Sequence, residues 1–298
     1  LCLALLPMHA SQAQVRLPAL GEGASEDFSV GTEKRLGESI MREIRRDPDY
    51  LDDPVLLEYL ASLWSPLVSA ARARGDVESD TNLQFAWESF LVRDRAINAF
   101  ALPGGYVGVN LGLIALTTSA DELASVLAHE LSHVTQRHIA RSVVNAQRTS
   151  MISLATLILG ILAAARSNNA DIANAAIMTG QAAGIQGQLN FSRDMEREAD
   201  RMGYGVLGSA GFATAGMAAM FDRLDSANRL NDSGSFPYLR SHPLTTERIS
   251  EARSRALFAG SGQAAPPLRH ALMQARARVL MDTDPQALRR MIDQAAGM

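Results

Sequence analysis

Two histidines four residues apart, His129 and His133, with Glu130 beside the first, are the residues whose types and spacing can do chemistry. Positions i and i+4 of a helix lie one above the other, so both imidazoles can point at one cation. Glu130 is turned by about 100° from His129 and can reach a water on that cation without ligating it. This is the H-E-x-x-H pattern of metal-assisted peptide hydrolysis, with one zinc ion per chain as the expected cofactor.

A hydrolytic zinc typically has three protein ligands and one open position, so a third ligand must lie downstream. Cys2 is the only cysteine and falls in the leading apolar segment, which removes thiolates from the ligand set and argues against a deformylase-type site. A metzincin-type extension fails residue by residue, because Gln136 and Ile139 stand where histidine or glycine would be needed. On a continuous helix His138 is turned by about 140° from His133 and reads as a surface histidine. A carboxylate remains. Glu196 and Asp200 are four apart, so one can bind metal while the other supports a ligand histidine. Asp194 and Glu198 share that spacing on roughly the opposite face, and spacing alone does not choose between the pairs.

The elements that must position these groups are legible in part. Ser119 with Glu122 forms a capping box, and Leu123, Val126, Leu127, Leu131 and Val134 give an apolar stripe, which predicts one helix from Ser119 to His138. Helices are also expected over Ser29–Arg46, from Pro54 behind Asp53 as N-cap, and over Phe191–Gly203, Met217–Leu230 and Thr245–Phe258. Alternation at Leu83, Phe85 and Trp87 predicts a strand within Asn82–Val92. Two further strands, Ala96–Leu102 and Tyr106–Asn110, flank a Pro103-Gly104-Gly105 turn, so a small antiparallel sheet precedes the histidine helix. Its edge, with Gly104, Gly105, Tyr106, Val107 and Gly108 as candidate substrate-binding residues, could grip an extended peptide through backbone hydrogen bonds. The fold class is therefore mainly α with a small antiparallel β-sheet.

With 298 residues and a net charge of -4, the chain can bury a substantial core and lacks the basic footprint of a nucleic-acid binder. Residues 1–13 read as the remainder of a secretory signal, cleaved after Ala13. A catalytic domain is expected over 14–260, then a linker and helical hairpin over 261–298 that either docks on the body or opens a repeat array. The apolar run Met151–Ala165 is shorter than the roughly 20 residues of a membrane-spanning helix. It reads as a buried helix, with peripheral membrane contact as the alternative.

Four ordered motifs, Asn98 to Gly105, His129 to His133, Glu196 to Asp200 and His242 to Arg248, resemble the HtpX and CAAX-prenyl-protease metallopeptidases, within their soluble periplasmic branch. The resemblance covers about Ser29 to Phe258. It implies a gluzincin-type zinc endopeptidase in which His129, His133 and Glu196 hold the metal, Glu130 is the general base and Asp200 supports a ligand. It also brings His242 and Arg248 to the metal, His242 either as a fourth ligand at rest or, like Arg248, as a group stabilising the oxyanion. By the same resemblance the location is the periplasm, the clients are misfolded or stalled outer-membrane proteins, and the outer-membrane assembly machinery is a partner. The hairpin resembles the start of a tetratricopeptide region. A client-holding module with little hydrolysis is the alternative function.

Overall fold

The computed structural model describes residues 28–145, 193–230, 236–258 and 267–296. The leading apolar segment, the run from Met151 with the Ala- and Gly-rich stretch after it, and the linker before Pro267 lie outside the described residues. In chain order the elements are α1 (Val30–Ile44), β1 (Tyr50–Leu51), α2 (Pro54–Arg74), α3 (Ser79–Gln84), β2 (Glu88–Val92), β3 (Ala99–Leu102), β4 (Tyr106–Asn110), α4 (Leu111–Leu116), α5 (Ala120–Thr135), α6 (His138–Asn145), α7 (Arg193–Ser209), α8 (Ala215–Leu230), α9 (Pro237–Ser241), α10 (Thr246–Phe258), α11 (Pro267–Met281) and α12 (Pro285–Ala296). No helix among the described residues is long and apolar enough to cross a membrane.

The sheet is mixed, with strand order β1-β2-β4-β3. The expected antiparallel pair β3–β4 is present, with Phe100 opposite Gly108, while β2 joins β4 in parallel, Glu88 opposite Tyr106. The strand expected from Asn82 begins only at Glu88. Leu83 is exposed on α3, and Trp87 has φ 50, so the alternation at 83, 85 and 87 marks a helix end and a turn. There the backbone N–H groups of Ala86 and Glu88 donate to the carbonyls of Gly104 and Gly105.

The sheet lies between two apolar layers because its side chains alternate. Phe90, Val92, Leu102 and Tyr106 face Leu36, Ile40, Met41 and Ile44 of α1. Leu91, Ala99, Val107 and Val109 join the larger core built on α2 and α5. Gly108 lies between the rings of Phe90 and Phe100, where a Cβ would stand 2.4 Å from Phe100 Cζ.

Helix α5 is the middle of the molecule. It packs against β3, β4, α2, α7 and α8, and every residue from Ala120 to Thr135 is buried. An apolar stripe would have sufficed for a surface helix; burial all round obliges each polar side chain to find a partner. Ser119 Oγ accepts from Glu122 N at 3.2 Å, as a capping box requires, but the Glu122 carboxylate turns to Thr118 N at 2.7 Å and to Arg223. Asp121 Oδ1 accepts from Ala213 N, and the Ser125 and Ser132 hydroxyls donate to the carbonyls of Glu122 and Ala128.

The helix predicted to run on to His138 stops at Thr135. Arg137 takes φ 50, a left-handed conformation that costs a non-glycine residue roughly 1 kcal/mol or more, and α6 sets off in a new direction. The break is held by a buried clamp. Arg137 Nε donates to Glu33 Oε2 at 3.1 Å, and its NH2 donates to the Phe28 carbonyl at 2.7 Å.

At the other end, α11 docks on the body. Tyr59 Oη lies 2.6 Å from His270 Nδ1, Gln274 donates to the Ala115 and Thr117 carbonyls, and Arg276 binds Asp53 through two nitrogens. Asp53 is also the N-cap of α2, accepting from Leu56 N. Helix α12 leaves Ile292 exposed.

Candidate metal centre

Three elements, α7, the end of α9 and α10, converge beside the carboxyl-terminal half of α5. One ligating atom from each of His129, His133, Glu196 and His242 can be chosen so that all lie within 4.8 Å of one another, and all four residues are buried. His129 Nε2 is 3.0 Å from His133 Nε2, 3.4 Å from His242 Nδ1 and 3.4 Å from Glu196 Oε2. Glu196 Oε1 lies 3.0 Å from His242 Nδ1 and 3.5 Å from His133 Nε2. The two histidines reach this point because α5 sets them one turn apart. Glu196 reaches it because α7 crosses α5 closely at Gly203, where a Cβ would stand 3.1 Å from the Ala128 carbonyl oxygen.

Among these groups the Glu130 carboxylate is buried with neither oxygen hydrogen-bonded. Its nearest polar neighbour in the cluster is His242 Nε2, 3.5 Å from Oε1. A buried carboxylate without a donor costs several kcal/mol, of order 1–3 or more, so such a group calls for a reactant. Glu130, Glu196 and Asp200 bring three carboxylates together, and Arg248 pairs with two of them, Glu196 and Asp200. Two imidazoles, a carboxylate and a third imidazole around one point are a donor set that suits a divalent transition metal.

The surroundings orient these groups. Asp200 Oδ1 is 2.9 Å from His129 Nδ1, which leaves Nε2 to face the cluster. Arg248 donates to Asp200 through Nε at 2.6 Å and NH2 at 2.8 Å, and through NH1 to the Pro243 carbonyl at 2.8 Å, with Glu196 Oε2 2.9 Å from NH1. Its guanidinium also lies 5.1 Å over the Phe221 ring. With every nitrogen engaged, Arg248 is a holding group for Asp200 and Glu196, where an oxyanion contact was expected.

Burial opposes charge on His129, but the Asp200 and Glu196 carboxylates outweigh it and hold its pKa at about 9. His133 goes the other way: burial, reinforced by the charge of His129, holds it well below the ordinary histidine value. Glu196 is buried too, yet the His242 and His129 rings hold it well below the carboxylate range.

His242 was read as part of a loop and is instead the C-cap of the short helix α9. Tyr238, on the same helix, is fully buried with its ring 4.8 Å from that of His242, and its backbone N–H donates to the Ile97 carbonyl just before β3. The sequence signal missed here was Phe236-Pro237, a helix start with proline at the first position. His138, expected on the surface, is completely buried with Nδ1 2.8 Å from His133 Nδ1. Of the pair weighed against Glu196 and Asp200, Asp194 is exposed and pairs with Arg197, while Glu198 reaches His138 Nε2 at 3.1 Å.

The residues expected to grip substrate need correction. Gly104 and Gly105 are buried with φ 79 and 86 in a turn packed against Lys34 of α1 and against Phe85. Tyr106, Val107 and Gly108 lie on the interior strand β4, between β2 and β3. No extended chain can add to a strand already paired on both sides; the edge nearer α5 is β3, Ala99–Leu102.

Comparison with known proteins gives the same direction. The sequence profile of peptidase family M48 matches residues 68–256. A putative beta-barrel assembly-enhancing protease of Vibrio cholerae serotype O1 is 39% identical over 278 residues, covering 93% of this chain and 55% of its own length. The beta-barrel assembly-enhancing protease of Escherichia coli K12 is 35% identical over 251 residues, 84% of this chain and 49% of its own length. The mitochondrial metalloendopeptidase OMA1 of Schizosaccharomyces pombe is 27% identical over 229 residues, 75% of this chain and 60% of its own length. This chain thus spans about half the length of the assembly-enhancing proteases it matches.

Proposed function

This chain belongs to peptidase family M48 and carries its metalloendopeptidase domain, and from that premise we propose that it is a zinc endopeptidase acting on misfolded or stalled outer-membrane proteins in the periplasm. The observation that carries the reading is the convergence of His129, His133, Glu196 and His242 next to a Glu130 carboxylate that has no hydrogen bond. The client class follows the names of the assembly-enhancing relatives.

His129, His133 and Glu196 would hold the zinc, with His242 as the fourth group at rest. A zinc ion held there supplies Lewis acidity, which makes water a nucleophile near neutral pH and polarises a carbonyl. Glu130 takes the proton from the attacking water and passes it to the leaving amine. Asp200 fixes the ring of His129, and Arg248 fixes Asp200. On this reading His242 closes the site at rest and must leave it before a client carbonyl can enter. An extended client lies along β3, where backbone pairing tolerates many side chains.

The deciding experiment is Glu130→Gln. The variant is expected to retain zinc and to lose cleavage of an unfolded protein such as casein by about 10²–10⁴-fold. Undiminished cleavage would remove Glu130 from the reaction. The same variant, tested for suppression of aggregation of an unfolded outer-membrane protein, separates holding a client from cutting it.

A further inference from the structure

On the reading of His129, His133 and Glu196 as metal ligands, we infer that His138, Glu198 and Arg141 form a positioning relay that fixes the tautomer and orientation of His133. Asp200 and Arg248 do the same for His129 on the other side of the site.

The direction of each hydrogen bond follows from the chemistry of its ends. Arg141 NH1 lies 2.8 Å from Glu198 Oε2, and His138 Nε2 lies 3.1 Å from the same oxygen. A carboxylate beside a guanidinium can only accept, so His138 Nε2 carries a hydrogen and donates it. In a neutral imidazole the other nitrogen then accepts. His138 Nδ1 is 2.8 Å from His133 Nδ1, so His133 Nδ1 must donate. That leaves the lone pair of His133 on Nε2, the atom that faces His129 Nε2 and Glu196. Were the relay reversed, His133 would present a hydrogen where a cation needs an electron pair.

The fold is built to bring these rings together. On an unbroken helix His138 would point away from His133; the left-handed turn at Arg137 redirects it, and the Glu33 and Phe28 contacts hold that turn. The two supports share α7, which supplies Asp200 to one ligand and Glu198 to the other. They differ in length. His129 meets its carboxylate directly, at 2.9 Å, and His133 meets its own through an intervening ring.

His138→Leu fills the volume without an acceptor, and His138→Asn places an amide oxygen near where Nδ1 stood. Zinc affinity, measured by competition with a chromophoric chelator, is expected to fall by about 10–100-fold in His138→Leu and to recover most of that loss in His138→Asn. Equal affinity in all three proteins overturns the relay. Equal loss in both variants, with an unchanged far-UV spectrum, also overturns it, since packing alone would then be at issue. Should His138→Leu fail to fold, 15N spectra of the histidine rings in the zinc-loaded wild type decide: protonated His133 Nδ1 with unprotonated His138 Nδ1 is expected, and the reverse refutes it. A wild type that takes up no zinc would instead defeat the peptidase reading on which the relay rests.

Discussion

Gly203 of α7 packs against the peptide that joins Ala128 to His129, so closely that a Cβ there would meet the Ala128 carbonyl oxygen at 3.1 Å and His129 N at 3.2 Å. A β-branched side chain must push α7 away from α5, and Glu196 and Asp200 travel with it. Gly203→Val is expected to destabilise the fold by about 1–3 kcal/mol and to abolish zinc retention on gel filtration. Full zinc content would show that the close crossing is not what brings Glu196 to the histidines.

Among the described residues Arg248 is the one guanidinium that touches both Asp200 and Glu196. Its removal leaves buried carboxylates facing each other, so Arg248→Ala is expected to cost about 3–5 kcal/mol in the zinc-free protein. Arg248→Lys keeps the charge and loses the two-nitrogen grip on Asp200, so its denaturant midpoint should fall between those of Arg248→Ala and wild type. If lysine restores the midpoint in full, the planar geometry is irrelevant.

His242 stands within 3.5 Å of Glu130, Glu196 and His129, which places its ring where a client carbonyl would have to come. His242→Ala is therefore expected to raise the initial rate of casein cleavage while weakening zinc retention. A lower rate at full zinc occupancy would assign the ring to transition-state stabilisation and not to closure.

Asp53 joins the first half of the chain to α11, capping α2 while Arg276 grips it. Hydrogen bonding to Arg276, against the pull of burial, holds its pKa below the ordinary carboxylate value. A depressed folded value means that the stabilisation is complete above the unfolded pKa and is lost as pH falls through the folded one. Protease nicking between α10 and α11 should then increase as pH drops below the carboxylate range, and Arg276→Ala should show that higher nicking already at neutral pH. Identical cleavage patterns for both proteins at every pH would rule out this contact as the clasp.

The histidine helix and its cap were legible because each depends on spacing within a few residues; Glu196 was singled out by the resemblance of the ordered motifs, since local spacing left Asp194 and Glu198 equally open. The parallel partnership of β2 with β4 was not, since nothing local distinguishes it from an antiparallel one. Gly104 to Gly108 looked like a substrate edge for a related reason: composition shows that a turn is tight, not which of its neighbouring strands ends up outermost. His138 was missed because a helical wheel assumes an unbroken helix, and the break at Arg137 is enforced by Glu33 and Phe28, distant in sequence. The near-complete burial of α5 likewise comes from tertiary packing, so a stripe of five apolar residues understated it.

Glu196, Glu198 and Asp200 lie within little more than one turn of one helix: Glu196 stands against both His129 and His133, Asp200 against His129, and Glu198 reaches His133 by way of His138. An ion bound there would not shed its ligands one by one. Its residence time would follow the rate at which α7 slides or tilts as a rod along α5, so release becomes a mechanical event of two helices, timed by their packing as much as by the strength of any coordinate bond.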